Sequence, residues 1–191
     1  MLTQKHNPFD DCPVYKTHNL ICRLVDETDA HDLYICYNDK VTLSHMNNDN
    51  CGGDFNCPSV DFMRDVILSW HKEYNNRRYI RWSVADVKSN CAIGTIELAP
   101  IPWGRWFFGK SKPLGIFRID LRSDYETETI FSELMGITPE LAADFEIEEI
   151  ATKALHDEVN RRNALHSHGF HPHNIAQLPF DCYYLRNFAK R

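Results

Sequence analysis

Two acidic residues, Glu97 and Asp120, stand on separate runs that alternate as β-strands do. A carboxylate placed in this way beside a cleft can accept the proton of an attacking nucleophile. Within the run 114–122, Asp120 shares a face with Arg118 and Arg122, opposite Phe117, Ile119 and Leu121. The plainer interpretation of that face is a ladder of cross-strand ion pairs, with general-base work as the chemical alternative. Four histidines, His166, His168, His171 and His173, fall within eight residues, and a nearby Cys182 or Asp181 could complete a set of four metal ligands. Because His166 and His168 are two apart, a helix points them to different sides, and no metal is expected. Cys36 lies near His31 and His45, the company an activated thiol needs. Its place on the apolar side of a helix reads instead as a buried thiol.

The segment 103–112 mixes Trp103, Trp106, Phe107 and Phe108 with Arg105, Lys110 and Lys112. Such a loop can fold back on the core, or act as a substrate lid, a dimer contact or a membrane-surface finger. Among the functional options the lid and the homodimer contact are preferred, since no amphipathic basic helix flanks the loop.

The elements that must position these groups belong to a chain of 191 residues, 43% apolar and 25% charged. That length suits one domain, with a core at about 17–188. With 21 basic against 27 acidic side chains, a net charge of −6 supplies no positive field for nucleic acid. No run approaches the roughly 20 apolar residues that span a bilayer, and the first eleven residues lack the apolar centre of a signal peptide. A cytoplasmic protein without membrane or nucleic-acid partners is expected. The seven scattered cysteines contain no Cys-x-x-Cys pair and are read as reduced thiols.

Periodicity yields the order β-α-α-β-β-β-α-β-α-β. Residues 17–25 read as a strand, and Asp26 or Thr28 can cap a helix bearing Ala30, Leu33, Tyr34 and Tyr37. The polar stretch 39–58 reads as a long loop or a short broken helix. Ser59 caps a helix whose apolar stripe is Met63, Ile67, Trp70 and Tyr74. Runs at 79–87, 91–98 and 114–122 form a meander of antiparallel strands. A helix over 129–145 breaks at Gly136 and restarts at Thr138-Pro139. Residues 146–155 read as a strand, 157–168 as a helix closed by Gly169, and 180–188 as a last strand.

This order resembles the GNAT acetyltransferase family, with Ile93-Gly94-Thr95-Ile96-Glu97-Leu98 in a central strand and a helix ending Leu165-His-Ser-His-Gly169-Phe170. The resemblance spans nearly the whole chain. It implies a mixed α/β fold with a sheet of six to seven strands and about four helices. It also implies that the sheet splits between the strands at 114–122 and 146–155, where the pantetheine arm of acetyl-CoA enters. In that family a glycine-rich turn ahead of the central helix binds the coenzyme's diphosphate through backbone amides. The matching segment here runs Leu121-Arg-Ser-Asp-Tyr125-Glu126-Thr127-Glu128-Thr129-Ile130-Phe131. It keeps the apolar residue and the aromatic but has none of the glycines or the proline. Glu126 and Glu128 add negative charge, while threonine hydroxyls can replace amide donors and Arg122 can offset one carboxylate. A tyrosine that protonates the leaving thiolate in many members is replaced by Leu165.

The resemblance implies an acyl-CoA-dependent N-acyltransferase carrying acetyl from acetyl-CoA to a small-molecule or protein amine. Its catalytic candidates are Glu97 and Asp120, and its coenzyme contacts Ile119, Leu121, Arg122, Tyr125, Thr127, Thr129, Ile130 and Thr152. Ile150 should also meet the ligand, and the loop 42–55 should supply acceptor contacts. The alternative is an inactive GNAT-like protein that binds a ligand or partner. Open amides at 127–131 favour the enzyme, whereas a groove filled by Glu126, Glu128 or Phe131 favours the alternative.

Overall fold

The computed structural model describes residues 7–47, 55–101, 113–173 and 181–188. Strands β1 (Tyr15–Lys16), β2 (Leu20–Leu24), β3 (Ile80–Asp86), β4 (Ala92–Ile101), β5 (Leu114–Leu121), β6 (Glu149–Lys153), β7 (His171–Pro172) and β8 (Tyr183–Asn187) form one sheet. Their order is β1-β2-β3-β4-β5-β6-β8-β7. All neighbours pair antiparallel except β5 and β6, which are parallel. The helices are α1 (Ala30–Cys36), α2 (Leu43–Asn47), α3 (Val60–Asn75), α4 (Glu128–Gly136), α5 (Thr138–Asp144) and α6 (Val159–Ser167). The expected mixed α/β class is present. The sheet has eight strands rather than six to seven, and six helices stand among the described residues where about four were expected. The added strands β1 and β7 have two residues each, too short to show a period, and α2 has five.

The sheet has two unlike faces. On one, Trp82, Ile96, Leu98, Phe117 and Ile119 pack with Phe131 and Leu134 of α4, Leu141 of α5 and Leu165 of α6. Each aliphatic side chain buried there contributes about 1.5–3 kcal/mol. The other face carries Arg81, Ser83, Thr95, Arg118 and Asp120, yet α1 and α3 cover it. Leu33 and Cys36 of α1 pack on Met63 and Ile67 of α3, so these helices bury their apolar stripes largely against each other. Gly94 lets β4 and β5 close up: a Cβ there would meet the Asp120 carbonyl oxygen at 2.1 Å.

Capping explains several helix limits. The Ser59 hydroxyl accepts from the Phe62 amide at 3.1 Å to open α3. Both α5 and α6 end in Schellman turns. In α5, Ile147 N donates to Ala142 O and Glu146 N to Ala143 O. Glu146 therefore sits at φ 54°, which is why β6 begins at Glu149 and not at 146. Gly169, at φ 75°, plays the same part for α6, as its position after the last periodic residue predicts. No helix among the described residues is long and apolar enough to cross a membrane. The aromatic-basic segment 103–112 and Gly52-Gly53 lie outside the described residues.

Candidate active site

Parallel pairing of β5 with β6 holds for only four residues, from Leu114 opposite Glu149 to Phe117 opposite Thr152. Beyond that point β5 continues beside β4 to Leu121, while the chain after β6 turns away toward α6. A wedge opens between them, as the resemblance implies. Thr152 stands at its closed end, fully buried, and its hydroxyl has no hydrogen-bond partner among the described residues. A buried hydroxyl in that state costs free energy until a ligand or water completes it.

The N-termini of α4 and α6 meet at the wide end of the wedge. Asn160 Nδ2 donates to Glu126 O at 2.8 Å, and Asn163 Nδ2 to Glu128 Oε2 at 3.1 Å, tying the two helices together. A cavity of about 160 Å³ lies between them, walled by His45, Glu126, Phe131, Glu158 and Arg161. His45 Nδ1 is 3.3 Å from Glu126 Oε1 and 3.9 Å from Glu158 Oε1, and its Nε2 is 3.9 Å from Asp157 Oδ2. The Glu126 hydrogen bond raises the His45 pKa against the opposing pull of burial, helped by the charges of Glu158 and Asp157. Arg161, with a side chain only 2% exposed, pairs with Glu158 at 3.1 Å and points its Nη1 at Ile119 O, 3.5 Å away.

None of the eight expected coenzyme contacts is among the residues lining this cavity. Ile119 and Leu121 are buried in the apolar core, and Ile130 joins them at the start of α4. Thr127 caps that helix, its hydroxyl accepting from Ile130 N at 3.3 Å, and Thr129 is exposed. The amides of Thr127, Ile130 and Phe131 all donate within the chain, to Tyr125 O, Thr127 Oγ1 and Thr127 O. Arg122 forms a two-pronged pair with Asp124 at 2.6 and 2.8 Å and lies over the Tyr125 ring, so its charge is paired with Asp124.

The two expected catalytic carboxylates lie on the polar face. Asp120 is enclosed: Oδ2 accepts from the Tyr37 hydroxyl at 2.7 Å and from Arg81 Nη1 at 3.0 Å, and Oδ1 from Arg118 Nε at 3.0 Å. Burial alone would raise its pKa, but the charges of Arg118 and Arg81 and the tyrosine bond hold it below the usual carboxylate value. Glu97 accepts from Arg81 Nε at 3.0 Å and also from Nη2, with 17% of its side chain exposed. Arg81 lies over the Trp70 ring, 4.4 Å from its centre. The ion-pair ladder is therefore formed, but beneath α1 and α3 instead of facing solvent.

Other expected groups separate. His168 hydrogen-bonds Ser132 at 2.8 Å and His166 packs edge-on against Tyr184. Among the described residues the convergent ligand set is His45, Glu126 and Glu158, not the histidine run. Burial pushes the Cys36 thiol well up, so it stays protonated. Sequence inspection gave no role to Glu158 or Arg161, and offered His45 only as a neighbour of Cys36 and as part of the acceptor loop 42–55. The one available signal was the Glu158/Arg161 spacing, which puts opposite charges on one helix face.

No protein-family model and no curated protein matches the sequence. Solved structures do match over most of the chain. A ribosomal-protein-serine acetyltransferase structure from Vibrio cholerae covers 95% of this chain and 99% of its own at 11% identity and a TM-score of 0.68. A GNAT-family acetyltransferase from Bacillus anthracis covers 92% and 99% at 11% identity, TM-score 0.67. RimL, a ribosomal-protein α-N-acetyltransferase solved with coenzyme A, covers 92% and 98% at 13% identity, TM-score 0.66. Eight-stranded sheet, split and helix order together give this chain the fold of the GNAT acetyltransferases.

Proposed function

We propose that the chain is an acyl-CoA-dependent N-acyltransferase that moves an acetyl group from acetyl-CoA to an amine. The observation that carries this is the wedge between β5 and β6, with the Thr152 hydroxyl, which has no partner among the described residues, at its closed end. An extended arm rich in amides satisfies such a hydroxyl and lies along the free edge of β5. The similar RimL structure holds coenzyme A.

Acetyl-CoA supplies a thioester: the amine nitrogen bonds the carbonyl carbon, the C–S bond breaks, and the thiolate leaves. Glu97 takes the amine proton, because it keeps partial exposure while Asp120 is saturated by two arginines and a tyrosine. Asp120 is a positioning residue that fixes Arg81, which in turn fixes Glu97. With Leu165 at the position of the family's tyrosine, water protonates the thiolate. The acceptor is an amine of small molecule or protein, and the net charge of −6 favours a cationic one. Glu97→Gln is expected to lower kcat about 10²-fold or more with little change in KM for acetyl-CoA. Steady-state kinetics at saturating amine checks this.

Glu126, Phe131 and Arg161 favour a second reading, a GNAT-like binding protein without transfer, since all three border the cavity where a coenzyme would pass. Thermal unfolding with acetyl-CoA, coenzyme A and an unrelated nucleotide separates the two. At about 100 times Kd the coenzyme adds about 2.7 kcal/mol, raising the midpoint by roughly 5–10 °C. No shift at millimolar acetyl-CoA overturns the enzyme and leaves the binding protein.

A further inference from the structure

The cavity at the wide end of the wedge poses an electrostatic problem. Two helix N-termini flank it and, with Arg161 on its wall, favour an anion, yet the carboxylates of Glu126, Asp157 and Glu158 line it too. A bare diphosphate would meet three carboxylates against one guanidinium that is already paired with Glu158.

We infer that His45, Glu126 and Glu158 form a binding site for a divalent cation, which in turn receives a diphosphate ester where the family resemblance expects glycine amides. The diphosphate half rests on the acyl-CoA reading; the cation half does not.

Three observations support the cation. The ligand atoms come from three distant parts of the chain, namely α2, the turn before α4 and the N-cap of α6, and converge to within 4.8 Å of one another. His45 Nδ1 lies 3.3 Å from one glutamate oxygen and 3.9 Å from the other. Ligand bonds of about 2.1 Å to one ion place neighbouring donors about 3–4 Å apart, so little movement is needed. Second, the far oxygen of Glu158 is anchored, as that of a ligating carboxylate is: Oε2 accepts from Leu155 N at 2.6 Å, while Oε1 faces His45 and is shared with Arg161 at 3.1 Å. Third, the adjoining cavity of about 160 Å³ leaves room for oxygens of water or phosphate to complete the coordination. Within a turn of His45, the buried Thr42 hydroxyl also has no partner among the described residues. One imidazole with two carboxylates suits Mn²⁺ or Zn²⁺.

The test begins with the full chain treated with chelator and then titrated with Mn²⁺, followed by the paramagnetic signal of free ion. One saturable site is expected. Glu126→Gln should weaken it about tenfold or more. Glu128→Gln, which removes a nearby exposed carboxylate outside the cluster, should change it less than about twofold. Absence of saturable Mn²⁺ binding at millimolar ion overturns the inference, as does equal weakening by both variants, which marks diffuse attraction. Affinity for coenzyme A and for pantetheine is then measured by calorimetry with Mn²⁺ and with chelator. Mn²⁺ should tighten coenzyme A about tenfold and leave pantetheine, which has no diphosphate, unchanged. Coenzyme A affinity that ignores the ion overturns the diphosphate role. Failure of both ligands under both conditions defeats the acyltransferase reading instead, while the Mn²⁺ titration still decides the cation site.

Discussion

Asp120 is held by two arginines and a tyrosine beneath α1 and α3. With both oxygens occupied by Arg81, Arg118 and Tyr37, its removal takes a fully buried carboxylate from between two guanidinium groups, of which Arg81 keeps Glu97. Asp120→Ala should therefore destabilise the chain by about 3–5 kcal/mol, read as a lower urea midpoint; an unchanged midpoint would show that the pair is dispensable. Thr152 is the opposite case. Its unpartnered hydroxyl is a standing cost, so Thr152→Val should stabilise the free protein by about 1 kcal/mol while weakening acetyl-CoA binding. Thermal midpoints with and without acetyl-CoA test both halves, and a variant that binds as well as the parent removes Thr152 from the ligand site. Asp120's place beside Arg118 was legible from strand alternation, but its burial was not. Alternation says which residues share a face; it does not say that α1 and α3 will cover that face.

At the scale of elements, stop and start signals come from contacts a few residues long. Ser59→Ala should destabilise α3 by about 1 kcal/mol, because the Phe62 amide loses its acceptor. Gly169→Ala should cost about 1 kcal/mol, because its φ of 75° strains any residue with a Cβ. Urea unfolding of the two variants gives the comparison, and a double variant should show additive losses. Such caps were readable because donor and acceptor lie three or four residues apart. Glu146 was not readable as a stop signal. A glutamate gives no hint of a left-handed conformation, and here the Schellman turn of α5 imposes it, moving the start of β6 to Glu149. The strands β1 and β7 escaped for another reason. Two residues make no alternation, and each exists because a longer neighbour, β2 or β8, offers it a hydrogen-bonding edge.

For the whole molecule, acid is the informative perturbation. Burial alone would raise the carboxyls of Asp120, Asp39 and Glu133. The charges of Arg118 and Arg81 outweigh it at Asp120, hydrogen bonds from Ser123 at Asp39, and bonds from Thr17 and Asn19 at Glu133, leaving all three below their ordinary values. A carboxyl lowered in the folded state contributes stability that is complete above its unfolded value, about 4, and is lost as pH falls through the folded value. Unfolding free energy should thus be flat in these groups at neutral pH and drop below about pH 4. A stability curve measured from pH 2 to 7 checks this, and a flat acid limb contradicts it. The same three carboxylates join distant segments: Asp39 reaches Ser123 N at 2.8 Å, and Glu133 receives Asn19 N at 3.0 Å.

The sequence by itself determined the mixed class, the three-strand meander β3–β5, the capped helix α3 and the break between α4 and α5, because periodicity and capping act within one or two turns of chain. It also placed Asp120 with Arg118 and flagged the acidic turn at Glu126. Only the tertiary structure decided that the polar face lies buried, at which residues the expected split between β5 and β6 begins, and that His45 meets Glu126 and Glu158. These residues have no local relation to one another. They meet because the sheet order sets β6 beside β5 and packs α6 against α4, and no spacing along the chain encodes a distance that the fold alone creates.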